Sequence, residues 1–337
     1  MEFGFMMGIS PREPVARFSS LAALAEESGF SMAWLADSQL IVKDPYIAMT
    51  MASRATSRMK FGPGVANPIT RHFSTIACTM TTLDEVSDGR AVLGIGSGDS
   101  AVSPLGMRGA TIAALREQII AIRALCSGTT TVVDGHSVQM LTGTRAIPIF
   151  LAASQPRMLQ LAGEVADGVI LMGAADPALT QWQLEHVARG AESAGRSLDD
   201  VFVDLWFGIS ISDDENQARQ DVRAWATSQA RWFSKWKEVP GPLGSHRAEF
   251  DEAFAAYQFS EHLSTHAEHA KLISNELVDL IAVSGNAEQC RSRIMPLLNL
   301  KVDRLTFTLL PGGRERRLRQ FGEDLLPKLR QPASADR

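Results

Sequence analysis

The stretch Gly89–Ser100, GRAVLGIGSGDS, is a short apolar run that breaks into a glycine-rich loop and ends on Asp99 and Ser100. Two kinds of fold place such a loop after a strand. A dinucleotide-binding sheet needs G-x-G-x-x-G, with a helix opening at the last glycine. Here the glycines are Gly94, Gly96 and Gly98, and helical periodicity resumes only at Ile112. No phosphate-binding lysine follows. A closed barrel instead gathers the C-terminal ends of all its strands at one face, where ligands bind. Glycines there let backbone approach a flat ligand, with Ser97 and Asp99 as polar groups at its edge. The alternative reading is a tight turn with a solvated aspartate.

Working outward, the same rhythm covers the chain. The runs EFGFMMG (2–8), MAWLAD (32–37) and MKFGPGVAN (59–67) precede the loop. IPIFLA (147–152), DGVILMG (167–173), VFVDLWFGIS (201–210) and DRLTFTLL (303–310) follow it. Between them apolar residues recur at helical spacing, as in Phe18, Leu21, Leu24 and Ala25, or Met158, Leu161, Ala162 and Val165. Continuous apolar strands alternating with amphipathic helices imply a parallel sheet covered on both sides, with an open doubly wound sheet as the alternative to a closed barrel. Eight such units predict an α/β fold, the (β/α)8 TIM barrel, over residues 1–330, with 331–337 as a disordered tail. Two stretches break the rhythm and read as insertions before strands five and eight. GTTTVVDGHSVQML (128–141) predicts a β-hairpin. Residues 225–284 open on Trp225, Trp232, Phe233 and Trp236 and continue into a histidine-bearing segment, read as a helix; long insertions at a barrel mouth often act as lids.

Composition excludes several classes. The formal charge is −5, against the basic face a nucleic-acid binder needs. The one dense basic run, GGRERRLRQ (312–320), reads as a solvated helix face or an oligomer contact. Cys78, Cys126 and Cys290 lie far apart, with no disulfide framework or zinc spacing. No apolar run approaches the length of a membrane span, and the N-terminus lacks signal-peptide character, so a reducing cytoplasm is expected.

GRAVLGIGSGDSAVSPLGM and IPIFLAASQPRMLQLAGEVADGVILMGAADP, with FGPGVANPITRH and TTLDEVSDGRAVLGIG, resemble bacterial luciferase-like flavin and deazaflavin oxidoreductases, in particular the methylene-tetrahydromethanopterin reductase branch. The likeness runs in order along nearly the whole chain and is weakest after Trp225. It implies FMN or the deazaflavin coenzyme F420 at the barrel mouth. It also implies a bulge in strand three, matching Gly64 and Val65, with a cis peptide that backs the tricyclic ring. Asn67 would face the ring's polar edge, beside Gly96, Ser97, Gly98 and Asp99. The phosphate would sit where Ala153, Ser154 and Gln155 lead into a helix at Pro156, because a helix start offers free N–H groups; Ser154 also reads as a plain N-cap. Gly173 and Ala174 would form the other wall.

Many relatives carry histidine after the aspartate that ends strand two; here Ser38 follows Asp37. Asp99, Asn67, Asp37 and Ser38 are the catalytic candidates. His72 reads as a helix-capping residue. His262, His266 and His269 are spaced as on one helical face, but the resemblance implies no metal, and His262 and Tyr257 read as shaping a substrate pocket. The favoured expectation is a monooxygenase of a small organic substrate using reduced FMN from a separate flavin reductase. The alternatives are an F420-dependent hydride transferase, with Asp99 as proton carrier, and a flavin-binding protein without turnover. F420 adds an anionic tail, which Arg71, Arg108 and Arg157 could meet. A homodimer or homotetramer is expected.

Overall fold

A single parallel sheet organises the computed structural model, which describes residues 1–264 and 266–330. Its strands are β1 (Glu2–Met7), β2 (Met32–Leu35), β3 (Lys60–Pro63), β4 (Leu93–Ile95), β5 (Ile149–Ala153), β6 (Gly168–Leu171), β7 (Phe202–Ile211) and β8 (Arg304–Thr308). They pair in the order β3-β2-β1-β8-β7-β6-β5-β4. The two edges meet through parallel bridges Phe61–Ala91 and Ala66–Ile95, which nearly closes the barrel. Helices α1 (Arg17–Glu27), α2 (Pro45–Ser53), α3 (Phe73–Val86), α4 (Ile112–Cys126), α5 (Pro156–Val165), α6 (Pro177–Ser193) and α7 (Glu215–Phe233) follow the first seven strands in turn.

Local chemistry explains the boundaries. Asp44 caps α2, accepting from the N–H groups of Tyr46 and Ile47, with Pro45 at the first turn. Gly29 takes φ +93° just past the end of α1, a conformation open to glycine. His72 caps α3, its ring nitrogen accepting from Ser74 N–H, as expected. The hairpin Thr131–Val133 and His136–Val138 forms around Asp134 and Gly135, both at positive φ as a two-residue turn requires.

The insertion differs from expectation. Trp225 lies within α7, because its helical periodicity continues from Ala218 and Val222 to Phe233, and the extra chain begins only after that helix ends. Helix α8 (Arg247–Ala256) and helix α9 (Asn275–Ile281) follow, and Val283–Gly285 then pairs with the end of β7. The histidine-bearing segment is not a helix. It forms two short 3-10 turns, Phe259–Glu261 and Glu268–Lys271, and Leu263 between them has φ +57°, which no helix accommodates. Helix α10 (Ala287–Leu298) leads into β8, and α11 (Arg314–Gln320) follows it. The basic run is also corrected in part. Arg314 is buried and bonded to Glu13 and the Gly8 carbonyl, so it ties α11 to the barrel rather than to solvent. The predicted tail, 331–337, lies outside the described residues. Among those described, no helix is long and apolar enough to cross a membrane.

Inside the barrel two tryptophans fill the axis. Trp34 of β2 and Trp206 of β7 have ring centroids 5.6 Å apart. Room for the Trp34 ring comes from glycines on the facing strands: a Cβ on Gly62 or Gly94 would stand 2.6 or 2.8 Å from it. Below, Trp34 Nε1 donates to buried Asp204, which also accepts from Arg304 and Thr306.

Candidate active site

At the C-terminal ends of the strands lies a cavity of about 1380 Å³. Of the catalytic and ring- or phosphate-binding candidates it is lined by all except Ala174: Asp37, Ser38, Gly64, Val65, Asn67, Gly96, Ser97, Gly98, Asp99, Ala153, Ser154, Gln155 and Gly173. Tyr257, expected to shape the substrate pocket, does not line it. Gly173 turns the chain at φ +145°, and Ala174 packs instead into the core beside Leu179 and Phe233.

The β5–α5 junction leaves donors open to this cavity. Gln155, not Ser154, is the N-cap, and its side chain makes no capping bond. Met158 and Leu159 N–H groups close back on the Gln155 carbonyl. Among the described residues the Arg157 N–H and the side chains of Ser154 and Gln155 have no hydrogen-bond partner. A helix start with free donors attracts an anion through their partial positive charge.

The glycines play a different part from the one expected. The Gly64–Val65 peptide is cis. A Cβ on Gly64, however, would meet Trp34 Cβ and Trp206 Cη2, both at 2.9 Å. Gly64 thus serves the barrel core, and the wall of the cavity there is Val65. Gly94 likewise yields to Trp34, whereas Gly96 accommodates the Val65 methyls at 3.0 Å. Of Gly94, Gly96 and Gly98, Gly98, at φ +96°, is the one required by backbone conformation.

Four polar candidates have partners the sequence did not reveal. Asp37 is gripped by Arg71 at 2.7 and 3.1 Å, and Arg71 also bonds Asp44. Burial raises the Asp37 pKa in spite of that arginine. Arg71 is therefore a strut, not a free cation for a coenzyme tail. Ser38 Oγ lies 2.6 Å from Ser100 Oγ, tying strand two to the glycine loop. Asn67 turns its amide to its own loop, accepting from Thr70 N–H at 2.9 Å and donating to Thr70 Oγ1 at 3.0 Å, so it is not free to address a ring edge. Asp99, expected to stand alone, accepts from Arg231 at 2.5 Å.

Arg231 is the functional-site residue that sequence reading missed. It projects from α7, is nearly fully buried, and its guanidinium carbon lies 4.4 Å from the Tyr257 ring centre and 5.1 Å from that of Phe259. A signal was present in the position of Arg231 within the aromatic cluster Trp225, Trp232, Phe233 and Trp236, but its partner lies 132 residues away. Trp225, Trp232, Phe233 and Trp236 all line the cavity, while Trp225 and Trp236 are also core residues, so wall and core are one cluster. His262 lines the cavity with Nδ1 2.5 Å from Tyr257 Oη. His266 is exposed and His269 buried, so the three histidines do not share a face.

The profile of the family described as luciferase-like monooxygenase matches residues 1–304. The chain belongs to this family. It is 29% identical over 327 residues to a 5,10-methylenetetrahydromethanopterin reductase of Methanolobus tindarius, covering 94% of this chain and 97% of that one. It is 27% identical to an F420-dependent glucose-6-phosphate dehydrogenase of Nakamurella multipartita, covering 98% and 97%. The solved coenzyme F420 dependent tetrahydromethanopterin reductase of Methanopyrus kandleri superposes with a TM-score of 0.78 at 24% identity, over 98% of this chain and all of that one, and shares the barrel. As a member of the family the chain is a luciferase-like oxidoreductase. The expectation of a reduced-FMN monooxygenase is overturned: the curated relatives that match from end to end at 27–29% identity are reductases and dehydrogenases, and those whose names state a coenzyme name F420, whereas the solved monooxygenases, at 20% identity or less, share the fold alone. The separate flavin reductase falls with it. FMN and F420 share the tricyclic ring and ribityl phosphate, which is why the motifs alone did not separate them.

Proposed function

We propose that this protein is a coenzyme F420-dependent oxidoreductase acting on a small organic substrate. The observation that carries the reading is that end-to-end relatives with different substrates include enzymes sharing this coenzyme. The coenzyme is their common property; the substrate is not.

The residues present fit the group. Ser154, Gln155 and the Arg157 N–H offer unpaired donors for its phosphate. Val65 and Gly96–Gly98 make a wall without bulky side chains. Exposed Arg12 and Arg157 stand at the rim, where an anionic tail would pass. Ligand pockets usually measure about 300–1,000 Å³, so this cavity has room for coenzyme and substrate together. When bound, the deazaflavin supplies or accepts a hydride. The chain's own share is to hold, orient and dehydrate. Arg231 holds the Asp99 side chain in place at the polar rim, and the aromatic wall of α7 excludes water from the substrate end.

Fluorescence titration of the apo-protein with F420 and with FMN tests the reading. Binding of F420 at a lower concentration than FMN is expected. Saturable FMN binding with none of F420 would overturn it.

A further inference from the structure

Hydride transfer to or from a carbon bearing oxygen needs a proton at that oxygen. The coenzyme's part is the hydride, so the proton falls to the chain. The obvious carriers are engaged: Asp37 with Arg71, Asp99 with Arg231, Ser38 with Ser100. An ion-paired carboxylate must give up its partner's contact to carry a proton.

One imidazole reaches the cavity by another route. His262 follows the turn Phe259–Glu261 and lines the cavity, half-buried. Its Nδ1 lies 2.5 Å from Tyr257 Oη, and among the described residues its Nε2 has no hydrogen-bond partner. Burial holds the imidazole down to about 4; Arg231 and His269 push the same way and Asp99 opposes them, so the ring is neutral at neutral pH. Glu261 faces the neighbouring His269 at 3.8 Å. Burial raises the Tyr257 pKa, keeping the phenol protonated at rest, while Arg231 and a hydrogen bond from Ser228 favour its anion. A protonated Tyr257 donates to Nδ1, which leaves the neutral ring with its proton on Nε2.

We propose that His262 is the catalytic proton donor and acceptor of this site, touching the reacting oxygen of an alcohol or carbonyl substrate, with Tyr257 as the positioning residue behind it. The proposal rests on the F420 reading above. In the reducing direction the carbonyl carbon gains a hydride from the reduced deazaflavin. Its oxygen takes the Nε2 proton, Nδ1 takes the Tyr257 proton, and the phenolate is stabilised by Arg231 until solvent restores its proton. The carbonyl is reduced by two electrons, the deazaflavin is oxidised by two, and the imidazole never carries charge. The reverse sequence oxidises an alcohol. Trp225, Trp232 and Phe233 form the adjoining wall, which suits an uncharged apolar body.

The test uses wild type, His262→Gln and Tyr257→Phe loaded with reduced F420, with acetophenone and cyclohexanone as substrates, together with F420 affinity by fluorescence. His262→Gln should lower kcat on the order of 100-fold with KM and F420 affinity unchanged. Tyr257→Phe should lower kcat about tenfold and make it pH-dependent across the neutral range, where the wild type is flat. In 15N-histidine NMR of the apo-protein, the His262 ring should stay neutral down to about pH 4 and its Nε2 signal should move on adding acetophenone. A wild type that does not bind F420 overturns the coenzyme reading and this proposal with it. Binding without reduction of either ketone overturns the substrate class. Variants with wild-type kcat and pH profile, or a His262 signal indifferent to acetophenone, overturn the role of His262 while leaving the coenzyme reading intact; the NMR arm decides should His262→Gln fail to fold.

Discussion

Ser154 and Gln155 stand where β5 delivers the chain to the start of α5, and among the described residues neither side chain has a hydrogen-bond partner. That idleness is informative, because polar groups at a helix start usually satisfy the first-turn donors themselves. Replacing both, Ser154→Ala with Gln155→Ala, should raise the F420 dissociation constant by at least about tenfold, the scale of two hydrogen bonds to a charged group. Turnover at saturating coenzyme should change little. Equilibrium titration and kcat on the same preparation check this, and an unaltered dissociation constant would remove the phosphate from this junction. Asp99 teaches a complementary lesson. Its neighbours in sequence are glycine and serine, but its chemistry is set by Arg231, brought up from α7.

At the scale of elements, glycines and one carboxylate hold strands in place. Gly64 sits at the end of β3 with the Trp34 and Trp206 side chains 2.9 Å from where a Cβ would go. Gly64→Val should therefore destabilise the fold by about 1–3 kcal/mol or more through overpacking. A thermal melt reads this directly, and an unshifted melt with lost coenzyme binding would restore the earlier idea that Gly64 faces the ring. Glu26, near the end of α1, accepts from the N–H groups of Ser57, Arg58 and Met59 just before β3 begins. Burial pushes its pKa up, yet these three bonds together win and lower it below 4.5. A carboxylate lowered in the folded state contributes stability that is complete above its unfolded pKa and is lost as pH falls through the folded one. Glu26→Gln should thus cost about 1–3 kcal/mol at neutral pH, with the difference from wild type shrinking as pH drops below 4.5. Denaturant melts at neutral and acidic pH measure it.

Across the whole molecule, the barrel separates binding from support. The cavity takes the C-terminal strand ends, and the opposite half is held by the buried knot of Asp204 with Trp34, Arg304 and Thr306, joining β2, β7 and β8. Arg304 also reaches Glu2 of β1. Asp204→Asn leaves the buried Arg304 with only the partly exposed Glu2 as counter-ion, which should cost up to about 3–5 kcal/mol. The denaturant midpoint should fall while the folded fraction keeps wild-type F420 affinity. A drop in affinity at unchanged stability would mean the knot acts on the cavity rather than on closure.

The sequence by itself determined the eight-unit parallel rhythm, the Asp134–Gly135 hairpin, the capped start of α3, and the junction where α5 opens on the cavity. These follow from local rules: apolar periodicity, φ preferences and the donors a helix start exposes. Tertiary structure decided the rest. Asp99 pairs with Arg231 across 132 residues, Trp34 borrows its space from glycines on other strands, Asn67 at the cavity wall turns its amide to its own loop, and Tyr257 presents His262 from a segment whose spacing looked helical. No local pattern encodes such contacts, because which side chain meets an exposed carboxylate or a missing Cβ depends on how distant elements pack.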